Sequence, residues 1–171
     1  MIKTVLLTDL TLDFELWRFA GTLYASPGVA ARLLDHQDRD GIWINDWLFA
    51  AWQAGKGNIL RKDFRGLVDT HNDWRTQVIL PWRAWRKQVK EQSQGLAGQE
   101  AYKRLLRAEL ALEWHDQAWL TRQYQHLTEP ASALPLASRL ALSIQRASDW
   151  PEDASGAAAA WLSDSLPGAS R

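Results

Sequence analysis

The chain has 171 residues, 46% hydrophobic and 23% charged, which fits one globular domain whose core needs no disulfide or metal. Its 20 basic and 20 acidic side chains balance, so the basic excess of a dedicated nucleic-acid binder is missing, and zero cysteines exclude a disulfide scaffold and thiol chemistry. Eleven tryptophans outnumber Phe and Tyr together, and the question is which are core and which are binding anchors.

Residues 1–11 show no clear pattern and read as a leader, either a short strand or disordered. The apolar run there, Val5 to Leu7, is too short for a signal peptide. No stretch approaches the ~20 apolar residues of a membrane span. The first helix is expected over 12–25, with Leu16, Phe19, Leu23 and Tyr24 on one face and Asp13 and Glu15 in its first turn. Ser26-Pro27 then reads as N-cap and N1 of a second helix, which ends near Arg39 with Gly41 as its C′ residue. Asn45 caps or opens a third helix, 45–54, apolar almost all round and so expected at a centre. Asp63 can cap a short helix over 64–70.

A long helix is predicted from Asn72 or Asp73 to Gln92. Trp74, Val78, Trp82, Trp85 and Val89 form one stripe, read as core. Pro81 must kink or break that helix near Ile79. Gly95 and Gly98 mark a loop, and the next helix spans 99–126. Beyond Pro130 the composition turns to Ala, Ser, Leu and Pro, with possible helices at 136–147 and 152–162 and disorder from Pro167. No convincing strand pattern is present. The expected fold is therefore all-α, a bundle of five or six helices. Its domain covers 12–129, and a helical, partly flexible extension covers 130–171.

Charge is unevenly spread: residues 61–107 carry 11 basic and 5 acidic groups, and residues 108–171 carry 4 and 8. Glu109, Glu113 and Asp116 stand at i, i+4 and i+7, so they share one helix face. An ion-pair row against Arg83 and Arg86 is the expected use. A di-metal site would want Glu-x-x-His on two helices, and that is absent. The histidines, His36, His71, His115 and His126, have no zinc spacing and read as surface or capping residues. No catalytic residue, metal or cofactor is assigned. Gly55-Lys56-Gly57 is not a phosphate loop, because its spacing is wrong.

Leu16-Trp17-Arg18-Phe19, Leu23-Tyr24, Pro27-Gly28-Val29, Leu33-Leu34, Gln37-Asp38, Gly41, Asn45, Leu48-Phe49 and Trp52 form a long, specific pattern. It resembles a family of short bacterial helical proteins catalogued only as a domain of unknown function, with the form LWxFxxxLYxxPGVxxxxLxxQDxxGxxxNxxLFxxW. The likeness continues through Trp74-Arg75, Pro81-Trp82-Arg83, Arg86, Ala108-Glu109-Leu110 and Glu113, and fades near residue 125. The family has no assigned activity, so the resemblance implies an all-helical fold and little more. Asp46 and Trp47 depart from the family's aliphatic pattern, and no role follows for Asp46.

Three functional expectations follow. The first is a non-enzymatic cytoplasmic interaction protein, adaptor or regulator, with a protein partner. Its surface would include Trp85, Arg83, Arg86, Lys87, Trp150 and Trp161, a composition found at binding hot spots. The second is a small-molecule pocket, possibly of an enzyme, at Gln37, Asp38, Asn45 and Trp43. The third, least favoured by the balanced charge, is stacking of single-stranded nucleic acid on the basic Trp/Arg helix 74–90.

Overall fold

The computed structural model describes residues 15–93 and 95–166. The expected leader and the disorder from Pro167 lie outside the described residues. The fold is all-α with one small antiparallel ribbon. Its described residues divide into two compact units, one of residues 68–116 and the other of residues 15–67 together with 117–166. These units are not divided at residue 130, where the composition changes. Among the described residues no helix is long and apolar enough to cross a membrane.

The larger unit begins with α1 (Glu15–Tyr24), α2 (Val29–Asp40) and α3 (Ile44–Gly55). Helix α1 buries Leu16 and Leu23 of the predicted face together with Ala20, and leaves Phe19 and Tyr24 half-buried. Helix α2 does not start on Ser26. Its N-cap is Gly28 at φ +80°, where a side chain would be strained, and Ser26 contributes its backbone carbonyl to Val29 N–H. Gly41 ends α2 at φ +68°, as its position predicts. Helix α3 is buried at every residue from Ile44 to Ala51, which fits a helix with no polar face. Asn45 does not cap it. Trp43 precedes the first turn, and Asn45 lies buried inside the turn, where its Oδ1 accepts from Gln117 Nε2 at 2.9 Å.

After α3 come β1 (Asn58–Leu60) and α4 (Phe64–Leu67), and from Gln117 the chain adds the end of α7 (Gly95–Arg122), α8 (Tyr124–Leu127) and β2 (Thr128–Pro130). Leu60 pairs with Thr128 and Asn58 with Pro130, a ribbon of three residues per strand. That is too short to show alternation, so sequence periodicity missed it. Helices α9 (Leu136–Ser148) and α10 (Glu152–Asp164) complete the unit, and α9 packs on α10, α3, β1 and α4. Leu140, Ile144, Ala158, Ala159 and Leu162 are buried. Ser143 accepts the Leu60 N–H at 3.1 Å, and Arg139 Nε donates to the Ala54 carbonyl at 2.8 Å, satisfying the open end of α3.

The smaller unit holds α5 (Asp69–Trp74), a π turn (Arg75–Ile79), α6 (Leu80–Gln92) and α7 as far as Asp116. Pro81 does not break the helix. Backbone angles stay right-handed helical at Arg75, Ile79 and Leu80, and Leu80 N–H bonds the Arg75 carbonyl five residues back. The wider π turn lets the chain pass the proline ring, which would otherwise clash with the carbonyl four residues earlier. Helix α7 starts at Gly95, so the expected loop over Gly95 and Gly98 is its first turn. It ends at Arg122, with a separate turn of helix, α8, after it.

Helix α6 corrects the reading of its Trp stripe as core. It has no buried residue, and Trp85 is 52% exposed. The contacts with α7 come from Trp82 and from the two arginines beside the stripe. Trp82 Nε1 donates to the Leu105 carbonyl at 3.0 Å, and Arg83 and Arg86 reach carboxylates. Charged pairs do the work that apolar contact was expected to do.

Candidate functional site

A pocket of about 420 Å³ lies in the larger unit, between α2 and α10. Helix α2 supplies His36, Arg39 and Asp40, which share one face by their i, i+3, i+4 spacing. Helix α10 supplies Ala154, Ala157, Ala158 and Trp161, again one face. Between α9 and α10, Asp149 sits at φ +58°, a conformation Asp tolerates better than most residues, and Pro151 precedes the next helix. This corner sets Trp150 into the pocket wall.

The wall is aromatic. The His36 ring centroid lies 5.2 Å from those of both Trp47 and Trp150, and 6.2 Å from that of Trp161, whose plane is within 9° of its own. Trp47 meets Trp150 edge to face at 5.1 Å. It is the one fully buried tryptophan, and its Nε1 donates to Ser148 Oγ at 2.6 Å. An indole this deep is expected to find such a partner. Trp150 and Trp161 remain partly exposed. The Arg32 guanidinium lies over Trp161, 5.4 Å from the ring centroid.

The polar rim is self-contained. Arg39 donates to Asp35 at 3.0 Å and to both oxygens of Asp40, at 3.0 and 2.9 Å. His36 Nδ1 lies 2.8 Å from Asp40 Oδ2. Hydrogen bonds from Arg39 and then from His36 pull the Asp40 carboxyl down to about 2, so it is ionised and accepts throughout the physiological range. These ionisable groups are committed to one another, and the pocket offers a ligand chiefly ring faces and alanine methyls.

The smaller unit carries a second charged constellation. Arg83 Nη2 donates to Glu113 at 2.6 Å and Nε to Glu109 at 3.3 Å, and Arg86 pairs with Glu109. This is the predicted ion-pair row, except for Asp116. That residue is 1% exposed and takes Arg75 Nε at 2.8 Å and His71 Nε2 at 2.5 Å instead. Helices α6 and α7 run antiparallel, so residues farther along α7 meet residues farther back, and Asp116 passes Arg83 to reach the π turn. His71 is therefore buried and paired, not a surface or capping residue. Among the described residues no group of three or more His, Asp or Glu is placed to hold a metal ion.

Burial raises the Glu113 carboxyl above its ordinary value, with Arg83 opposing and Asp116 and Glu109 adding to the rise. A carboxyl whose pKa is raised by folding supports the fold below its unfolded value and loses that support as pH climbs through the raised one. At neutral pH the Glu113 charge therefore costs stability. Glu113→Gln keeps an acceptor for Arg83 and is expected to melt at the same temperature as wild type or higher near neutrality. The two should converge toward about pH 4. Thermal melts across pH check this, and a variant weaker by more than about 1 kcal/mol at neutral pH would show that the Arg83 pair dominates.

The residues singled out in the sequence fall in different places. Trp150 and Trp161 line the pocket, whereas Gln37, Asp38, Asn45 and Trp43 do not. Asp38 is exposed on another face of α2, Gln37 and Trp43 are partly buried, and Asn45 is buried against Gln117. Trp85 and Lys87 are exposed, while Arg83 and Arg86 are spent on Glu109 and Glu113, which weakens the basis for nucleic-acid stacking there. His36, Arg39 and Asp40 were missed as pocket residues. Their i, i+3, i+4 spacing was legible, but nothing local showed that α10 would cover that face.

No curated protein and no solved structure matches this chain. The family described as a protein of unknown function, DUF2390, matches residues 15–120, more than half of the sequence, and the chain belongs to it.

Proposed function

We propose that this chain is a non-enzymatic interaction protein of the bacterial cytoplasm, and that it holds a protein partner at the α2–α10 pocket. One observation carries the reading. Trp150 and Trp161 stay partly exposed around an open pocket of about 420 Å³, within the range of specific binding sites. Tryptophan in such a setting is the residue most enriched at interface hot spots. Ala157 and Arg39 are exposed at the mouth, so a side chain on another protein's surface can enter without any segment moving. A non-enzymatic role is favoured because the ionisable lining groups are tied to each other rather than aimed at the cavity. A reducing compartment suits a cysteine-free chain.

Filling the mouth tests this. Affinity capture from the source bacterium should retain a protein on the wild-type chain and lose it on Ala157→Trp. Ala157→Lys, which adds charge at the same exposed position without bulk in the core, should lose it too. Melting within a few degrees of wild type shows both variants are folded. Equal retention by all three chains would overturn the proposal.

A further inference from the structure

We infer that the group entering the α2–α10 pocket is a flat, uncharged aromatic side chain of the partner, an inference that rests on the pocket being the binding site. Three observations favour a ring over an aliphatic or charged group. The His36 and Trp161 planes are within 9° of parallel with their centroids 6.2 Å apart, and both rings line the same pocket. A ring entering the pocket can contact them in the offset or edge-to-face geometry aromatic groups prefer. Trp150, tilted 59° to His36 at 5.2 Å, adds a ring at a steep angle and so offers an edge-to-face contact.

The second observation is the α10 face that also carries Trp161. Ala154, Ala157 and Ala158 follow one another along α10 and present only methyl groups, so a planar group can approach the helix without meeting a longer side chain. The third is charge. Asp35 and Asp40 are both paired with Arg39, and Asp40 also meets His36. A charged ligand would have to break a pair already made, whereas a neutral ring leaves every pair in place.

The test uses the full chain with its tryptophan indoles labelled for NMR, because each indole N–H gives its own signal. The probes are N-acetyl-tryptophanamide and N-acetyl-leucinamide. The tryptophan amide should move the Trp150 and Trp161 signals in a saturable way and bind about tenfold more tightly than the leucine amide. Trp161→Leu keeps apolar bulk but removes one ring face. It should erase that preference, read at Trp150, while the other indole signals stay in place and report an intact fold. Equal or tighter binding of the leucine amide would overturn the inference and leave the pocket standing as a site. Binding of neither probe would remove the site along with it.

Discussion

A chain ending at Pro130 is expected to lose the cooperative unfolding transition of its larger unit. The cut removes α9 and α10, which composition alone marks as an extension to a finished domain. In the structure they carry much of that unit's interior. Leu140, Ile144 and Leu162 are each fully buried, and burying such side chains contributes about 5–9 kcal/mol in total. A whole domain is stable by only about 5–15 kcal/mol. The cut also strips the Arg139 hydrogen bond from the end of α3 and the Ser143 and Arg146 bonds from the two polar groups of Leu60. Calorimetry should show the sharp wild-type transition replaced by a broad or absent one, with binding of a hydrophobic dye. A truncated chain that melted sharply within a few degrees of wild type would show that residues from 131 are an appendage after all.

The reason the sequence pointed the other way is instructive. Ala157–Ala160 looks like low-complexity filler, but Ala158 and Ala159 are buried because small side chains let α10 lie close to α9. Periodicity located both helices to within a residue or two at each end, since a 3.6-residue pattern is local information. It could not say what they pack on, because Ser143 and Leu60 are 83 positions apart. The pocket was half legible for the same reason. The faces His36/Arg39/Asp40 and Ala154/Ala157/Ala158/Trp161 each follow helical spacing, yet neither implies the other. Elsewhere local rules misled. Gly98 suggested a loop and lies within a helix, and Asn45 suggested a cap and is a buried partner of Gln117. At Asn45 a tertiary contact overrode a preference worth only about 1 kcal/mol, and at Gly98 the close approach of Ser93 leaves no room for a Cβ.

The tryptophans divide along the same line. Trp47 is core, Trp85 is exposed, and the other nine are partly buried, which suits a residue with a large apolar body and one polar handle. The stripe on α6 kept its helical spacing but is only half-buried at Trp82 and Val89 and exposed at Trp85, while Arg83 and Arg86 beside it pair with Glu109 on α7. A hydrophobic stripe names a face; it does not by itself say that another element covers it.

Replacing Asp116 should produce the largest single-residue effect in the smaller unit. Its carboxylate is shared by Arg75, which is fully buried, and by His71, which is 7% exposed. Asp116→Ala would leave the Arg75 charge inside the protein without its carboxylate, while Asn72 Oδ1 continues to accept from Nη1. Removing one member of a buried ion pair typically costs about 3–5 kcal/mol, chiefly because the other stays desolvated. The same reasoning predicts a rescue. Arg75→Met together with Asp116→Leu removes both charges at similar volume, and it should restore most of the stability the single change loses. His71 keeps its stacking on Trp74, with ring centroids 5.3 Å apart. Denaturant unfolding of the wild type, the single variant and the double variant closes the comparison. A loss below about 1 kcal/mol in Asp116→Ala would mean that water reaches Arg75 and that the cluster is not the buried pair its geometry describes. A double variant as weak as the single would place the cost in packing at the π turn, where Arg75 sits, rather than in the stranded charge.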